Sequence, residues 1–152
     1  MPTLTRLAAL MLFGIMAYVA SVYYLALYEE RPDNNLGGIF MSLVAAVVGW
    51  KFVGTRAKGA TLRNFTIVVQ GVIATYIISF ILYGFYNVFT DGYAGRYKTF
   101  DDALQGVFRN ASEHAMRMAD LEFLIVLLTQ AFVVTLLVTG VFRFAEARRF
   151  ER

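Results

Sequence analysis

Four long apolar runs, at residues 7–28, 36–53, 65–90 and 123–142, hold almost no charge, and nearly all the charged residues fall between or after them. A helix needs about 20 apolar residues, rising about 1.5 Å each, to cross a hydrocarbon layer of about 30 Å. A surface helix of a soluble protein of this length carries a polar face, and these runs are apolar all round. With 59% hydrophobic and 16% charged residues among 152, the composition also lies outside the usual soluble range. The pattern predicts an all-α chain forming one membrane domain, an integral four-helix bundle.

The second run is the shortest. It has fifteen residues to Trp50, or eighteen through Val53 if Lys51 extends its ammonium to the interface while its stem stays in the apolar layer. The alternative is a re-entrant segment, which leaves three crossings and puts the two termini on opposite sides. The first run follows Arg6 as a secretory signal would. Its apolar stretch exceeds the usual signal length, and no small-x-small cleavage site follows before Glu29, so a retained helix is expected.

Charge in the connections sets the expected orientation. The first connection sets Glu29, Glu30 and Asp33 against Arg31, whereas the second carries Lys51, Arg56, Lys58 and Arg63 with no acid. The third holds Arg96, Lys98, Arg109 and Arg117 against Asp91, Asp101, Asp102, Glu113, Asp120 and Glu122. The tail is basic again, with Arg143, Arg148, Arg149 and Arg152 against Glu146 and Glu151. This alternation predicts four crossings of a bacterial inner membrane, with both termini inside. Tyr23, Tyr24, Tyr28, Tyr83, Tyr86, Tyr93 and Tyr97 gather where helices one and three leave on the acidic side, as headgroup-layer rings do.

The basic connection marks Lys51, Arg56, Lys58 and Arg63 as lipid or anion contacts. Near an anionic leaflet each is worth about 1 kcal/mol. They serve as a topology determinant or, more sharply, as a docking patch for a cytoplasmic partner; nucleic acid is not expected. In the third connection Phe100, Leu104, Val107, Phe108, Ala111, Ala115 and Met118 share one helical face. The spacing predicts an amphipathic helix over residues 99–118, with Thr99 as its N-cap and Asp101 and Asp102 in its positive first turn. It either lies in the interface capping the bundle or offers Phe100, Leu104 and Phe108 to a partner.

Candidate chemistry is sparse. The absence of cysteine removes disulfides, thiolate metal sites and thiol redox chemistry. His114 is the single histidine, and Glu113, Arg117 and Asp120 around it do not make a recognisable ligand set. Asp101 and Asp102 are adjacent and point apart on a helix, so they read as helix-start residues and not as an acid/base pair. No catalytic residue, metal or cofactor is expected. An ion relay ordinarily shows a charged or imidazole group within a span. The spans offer only Gln70, Thr75, Ser79, Asn87, Thr129, Gln130, Thr135 and Thr139, expected to hydrogen-bond between helices, with Gln70 and Gln130 the candidates for a buried bridge. Ala45 with Gly49, and Ser42 with Ala46, have the small-xxx-small spacing that lets helices approach closely, within the bundle or in a dimer.

Met1-Pro2-Thr3 with Arg6-Leu7-Ala8-Ala9, then Val48-Gly49-Trp50-Lys51 followed by Gly54, Arg56, Ala57 and Gly59, resembles the TrgA family. These are small four-helix inner-membrane proteins of alphaproteobacteria associated with tellurite resistance. The similarity runs on through Asn64 and Gly71-Val72 to Leu136-Leu137-Val138 and Gly140-Val141. The resemblance implies a role in tellurite resistance and no mechanism. Reduction of that oxyanion draws on thiols or redox centres, and this chain has neither cysteine nor a haem-type histidine pair. The reading is therefore a non-enzymatic membrane protein acting through the phospholipid bilayer or protein partners. Two alternatives stand beside it: an accessory or assembly subunit of a respiratory or photosynthetic complex, or a small oxyanion transporter.

Overall fold

The computed structural model describes residues 3–28, 36–93 and 99–150, and every regular element among them is helical. The order is α1 (Thr3–Tyr28), α2 (Leu36–Val48), a π-helical turn (Gly49–Val53), the single turn α3 (Gly54–Arg56), α4 (Thr61–Tyr93), α5 (Phe100–Met118) and α6 (Leu121–Phe150). The first connection, with Glu29, Glu30, Arg31 and Asp33, lies outside the described residues, as do Arg96, Tyr97, Lys98 and the last two residues.

Four segments are long and apolar enough to cross a membrane: Leu4–Leu27, Leu36–Arg56, Thr61–Tyr86 and Leu121–Ala147. The second continues three residues beyond the apolar run at 36–53, because the helix does not end where α2 does, at Val48. The π-helical turn carries it through Lys51, and Thr55 Oγ1 bonds back to the Lys51 and Phe52 carbonyls at 2.8 and 3.1 Å. The resulting 21 residues suffice for a full crossing at about 1.5 Å each. The third span starts earlier than residue 65, with Thr61 opening α4.

α1 packs on α2 and α6, and α4 packs on the same two, so the four long helices stand in the cyclic order α1, α2, α4, α6. Neighbours run antiparallel. The start of α1 lies beside the end of α2, Asn64 near the start of α4 bonds Thr139 late in α6, and Tyr24 late in α1 meets Phe123 early in α6. α5 lies outside this ring, against α4.

Small residues set the spacing on the α1 side. A Cβ added at Gly49 would overlap the Ala9 carbonyl oxygen and the Phe13 Cβ, and one at Gly54 would stand 2.7 Å from Arg6 Cα. At Gly71 it would stand 2.7 Å from Val53 Cγ2 and 3.0 Å from Phe13 Cζ. Three glycines on three segments thus converge on one face of α1, and the Phe13 ring fills the space they leave. Ala45 is buried in the same core, while Ser42 Oγ donates to the Gly14 carbonyl at 2.8 Å. Helices as apolar as these gain from close van der Waals fit and scarce hydrogen bonds. Glycine and alanine at the crossing points supply the fit.

Candidate functional site at the basic end

The beginnings of α1 and α4 and the ends of α3 and α6 come together at one end of the bundle, around the turn formed by residues 57–60. α3 stops because Ala57 is extended, with φ −58° and ψ 135°, and its buried methyl pins the turn to the core. Asn64, one turn into α4 and buried, then reads both sides of the Lys58 peptide region. Its Oδ1 accepts from Lys58 N at 2.9 Å, and its Nδ2 donates to the Lys58 carbonyl and to Thr139 Oγ1 at 2.8 Å. A second clamp comes from α6, where the Arg143 guanidinium donates from Nη2 to the Gly59 carbonyl at 3.0 Å and from Nε at 3.3 Å. A turn packed against apolar helix ends must satisfy its peptide groups. Here two side chains do so, and they fix the turn against α6.

Fixing the backbone leaves the charged side chains outward. Lys51, Arg56, Lys58 and Arg63 are all exposed. Arg56 lies over the Phe52 ring, 4.0 Å from its centroid, so a cation–π contact holds its guanidinium near the helix. Arg6 adds a half-buried guanidinium whose Nε is buried without a hydrogen-bond partner, and Arg143 is exposed beyond its contact with Gly59. Against these, Glu146 is the one acid among the described residues of this end. The result is a positive surface of fixed shape, able to attract anions or anionic headgroups.

The other expected sites fall elsewhere. Gly49 lies buried at the contact with α1, and Ala45 is buried in the core. The expected Gln70–Gln130 bridge is not formed: Gln70 is exposed on α4, and Gln130 Oε1 is buried without a partner. Among the span hydroxyls, Thr75, Thr129 and Thr135 bond the carbonyl four residues back in their own helices, at 2.9, 2.8 and 2.7 Å. Ser79 Oγ is buried without a partner, while Thr139 reaches across to Asn64 as Ser42 does to Gly14. An intrahelical carbonyl is always within reach of a threonine, whereas a partner on the next helix requires matched depth.

At the opposite end Thr99 caps α5, its Oγ1 accepting from Asp102 N at 3.2 Å. Leu104 and Phe108 are 43% and 68% exposed, and Met118 packs against Tyr24 and Phe123. The side chains of Phe100, His114 and Asn87 lie outside the described residues. Among the described residues, no group of three or more His, Asp or Glu is placed to hold a metal.

Sequence reading places Asn64 at the edge of a loop and Arg143 in a charged tail, and so misses both as clamps. The available signal was an asparagine just after a basic, glycine-containing turn. Its meaning depends on α4 beginning three residues earlier, which turns Asn64 back over the turn. Comparison of the chain with family models, curated proteins and solved structures returns no match.

Proposed function

We propose that the chain is a non-enzymatic protein of a bacterial inner membrane, with both termini inside, that acts by presenting a fixed basic surface to anionic partners. One observation carries this reading: the 57–60 turn is clamped by Asn64 and Arg143 while Arg56, Lys58 and Arg63 stay exposed. The clamps that satisfy the peptide groups of this turn also fix its shape, and a preorganised surface binds with less ordering cost than a mobile one. A role in tellurite resistance rests on the resemblance to the TrgA family, and the basic surface is the part suited to that role.

The test is recovery of partners from native membranes by crosslinking, with wild type and a Lys58→Glu/Arg63→Glu variant compared at equal thermal stability. Stoichiometric partners lost in the variant are the expected result; partners recovered equally by both would sink the reading. A reporter fused after Arg152 should be active in the cytoplasm.

The accessory-subunit reading is favoured by a different observation. Leu104, Phe108, Met116 and Leu121 are all exposed at the α5 end, an apolar presence that a partner subunit or the interface would cover. Partner loss on Phe108→Ser, with the basic surface intact, would select this reading over the first.

A further inference from the structure

Glycine is disfavoured inside a helix, and its retention there ordinarily marks a close approach. Gly49, Gly54 and Gly71 fit that rule, since a Cβ at any of them would collide with a neighbour. Gly140, in the middle of α6, does not, because a Cβ there would meet nothing within 4 Å. What its missing side chain does is open a groove. Leu4, Leu7 and Met11 of α1 form one wall of it, and Gly140, Val141 and Phe144 of α6 the other.

The groove has a volume of about 460 Å³ and opens outward, and every residue lining it is apolar. At about 30 Å³ for a water-sized group, it has room for on the order of a dozen methylenes. Its α1 wall extends over residues 4–11, about 10 Å along the helix axis. It lies in the first turns of α1 and the late turns of α6, next to the basic end already described. There Arg6, Lys58, Arg63 and Arg143 face a single acid among the described residues, and Arg6 Nε is buried without a partner. An apolar slot ending at a net positive surface matches one kind of molecule, a chain of hydrocarbon ending in a negative group.

We infer that the α1–α6 groove binds an acyl chain of one anionic phospholipid, whose phosphate lies at the basic end. The inference rests on membrane residence, which carbonate extraction tests separately. A chain that resists extraction yet retains no lipid would overturn this inference alone.

The experiment is native mass spectrometry of the full chain in mild detergent, delipidated and then titrated with phosphatidylglycerol or phosphatidylcholine. One phosphatidylglycerol per chain should be retained, at least tenfold more tightly than phosphatidylcholine. Gly140→Leu places a side chain into the groove from a Cβ that meets nothing within 4 Å, and should lower phosphatidylglycerol retention at least tenfold, with helix content unchanged. Phe144→Ala removes part of a wall without filling anything and should lower retention severalfold, so the conclusion does not depend on one variant. Equal retention by wild type and Gly140→Leu would overturn the inference. So would equal affinity for the two lipids, or a dimer that Gly140→Leu abolishes, which would make a second copy of the chain the occupant.

Discussion

At the basic end, Asn64 and Arg143 tie the 57–60 turn to α6 with side-chain hydrogen bonds of 2.8 to 3.3 Å, and three glycines bring α1 against its neighbours. At the opposite end α1 meets α6 through Tyr24 and Phe123, with ring centroids 5.7 Å apart and planes at 73°, and through an exposed Tyr23–Glu122 hydrogen bond of 3.3 Å. One end is closed by backbone proximity, a buried Asn64–Thr139 pair and the clamps on the turn, the other by rings and a solvated contact. In water the rings would contribute more, because burying them would remove apolar area from solvent. In the membrane proposed for this chain, truncating a ring forfeits dispersion and edge-to-face attraction only. A buried donor left unpaired still costs its full desolvation. The basic end should therefore be the rigid one, as suits a surface whose shape matters.

That contrast can be broken by four substitutions, each read by thermal unfolding in mild detergent. The largest effect belongs to Gly49→Leu. Its side chain would enter the Ala9 backbone and the Phe13 side chain, neither of which can swing aside, so a loss of about 3 kcal/mol or outright failure to assemble is expected. Asn64→Ala comes next, at about 2 kcal/mol, because Lys58 N, the Lys58 carbonyl and Thr139 Oγ1 all lose their partner. Protease cleavage after Lys58 should rise with it. Phe123→Ala should cost only about 1 kcal/mol although the residue is buried, since in detergent the unfolded chain keeps the ring in an apolar environment and only dispersion and edge-to-face attraction are lost. Tyr23→Phe should leave stability unchanged within measurement, as its hydroxyl bond is exposed and long. A larger loss for Phe123→Ala than for Asn64→Ala would refute the contrast. A measurable loss for Tyr23→Phe would show the tyrosine end to be better ordered than its contacts indicate.

Much of the architecture was legible because apolar runs and charge placement are local properties. Runs at 7–28 and 123–142 map onto α1 and α6, and Thr99 with Asp101 and Asp102 marks the start of α5. The second run is expected over residues 36–53 and continues in the structure to Arg56, with no break at Lys51. The helix passes through it by way of a π-helical turn that no periodicity announces. Gln70 and Gln130 were paired on residue type alone, and pairing needs facing surfaces, which depend on how each helix is rotated. Asn64 is the converse case: an ordinary loop residue by type, and a clamp through its position one turn into α4.

By itself the sequence determined that the chain is helical, that four segments are apolar enough to cross a membrane, and that positive charge gathers beside one set of their ends. Each of these follows from the solvent preference of residues taken along the chain, and needs no knowledge of neighbours in space. Only the tertiary structure decided which glycines are close approaches and which one opens a groove. It also decided which polar groups meet, and which face of each helix turns outward. Those depend on the rotation and depth of one helix against the next, set by side-chain fit summed over the whole bundle. Gly49 and Gly140 are the same residue in the sequence, and the packing around them makes one a contact and the other an opening.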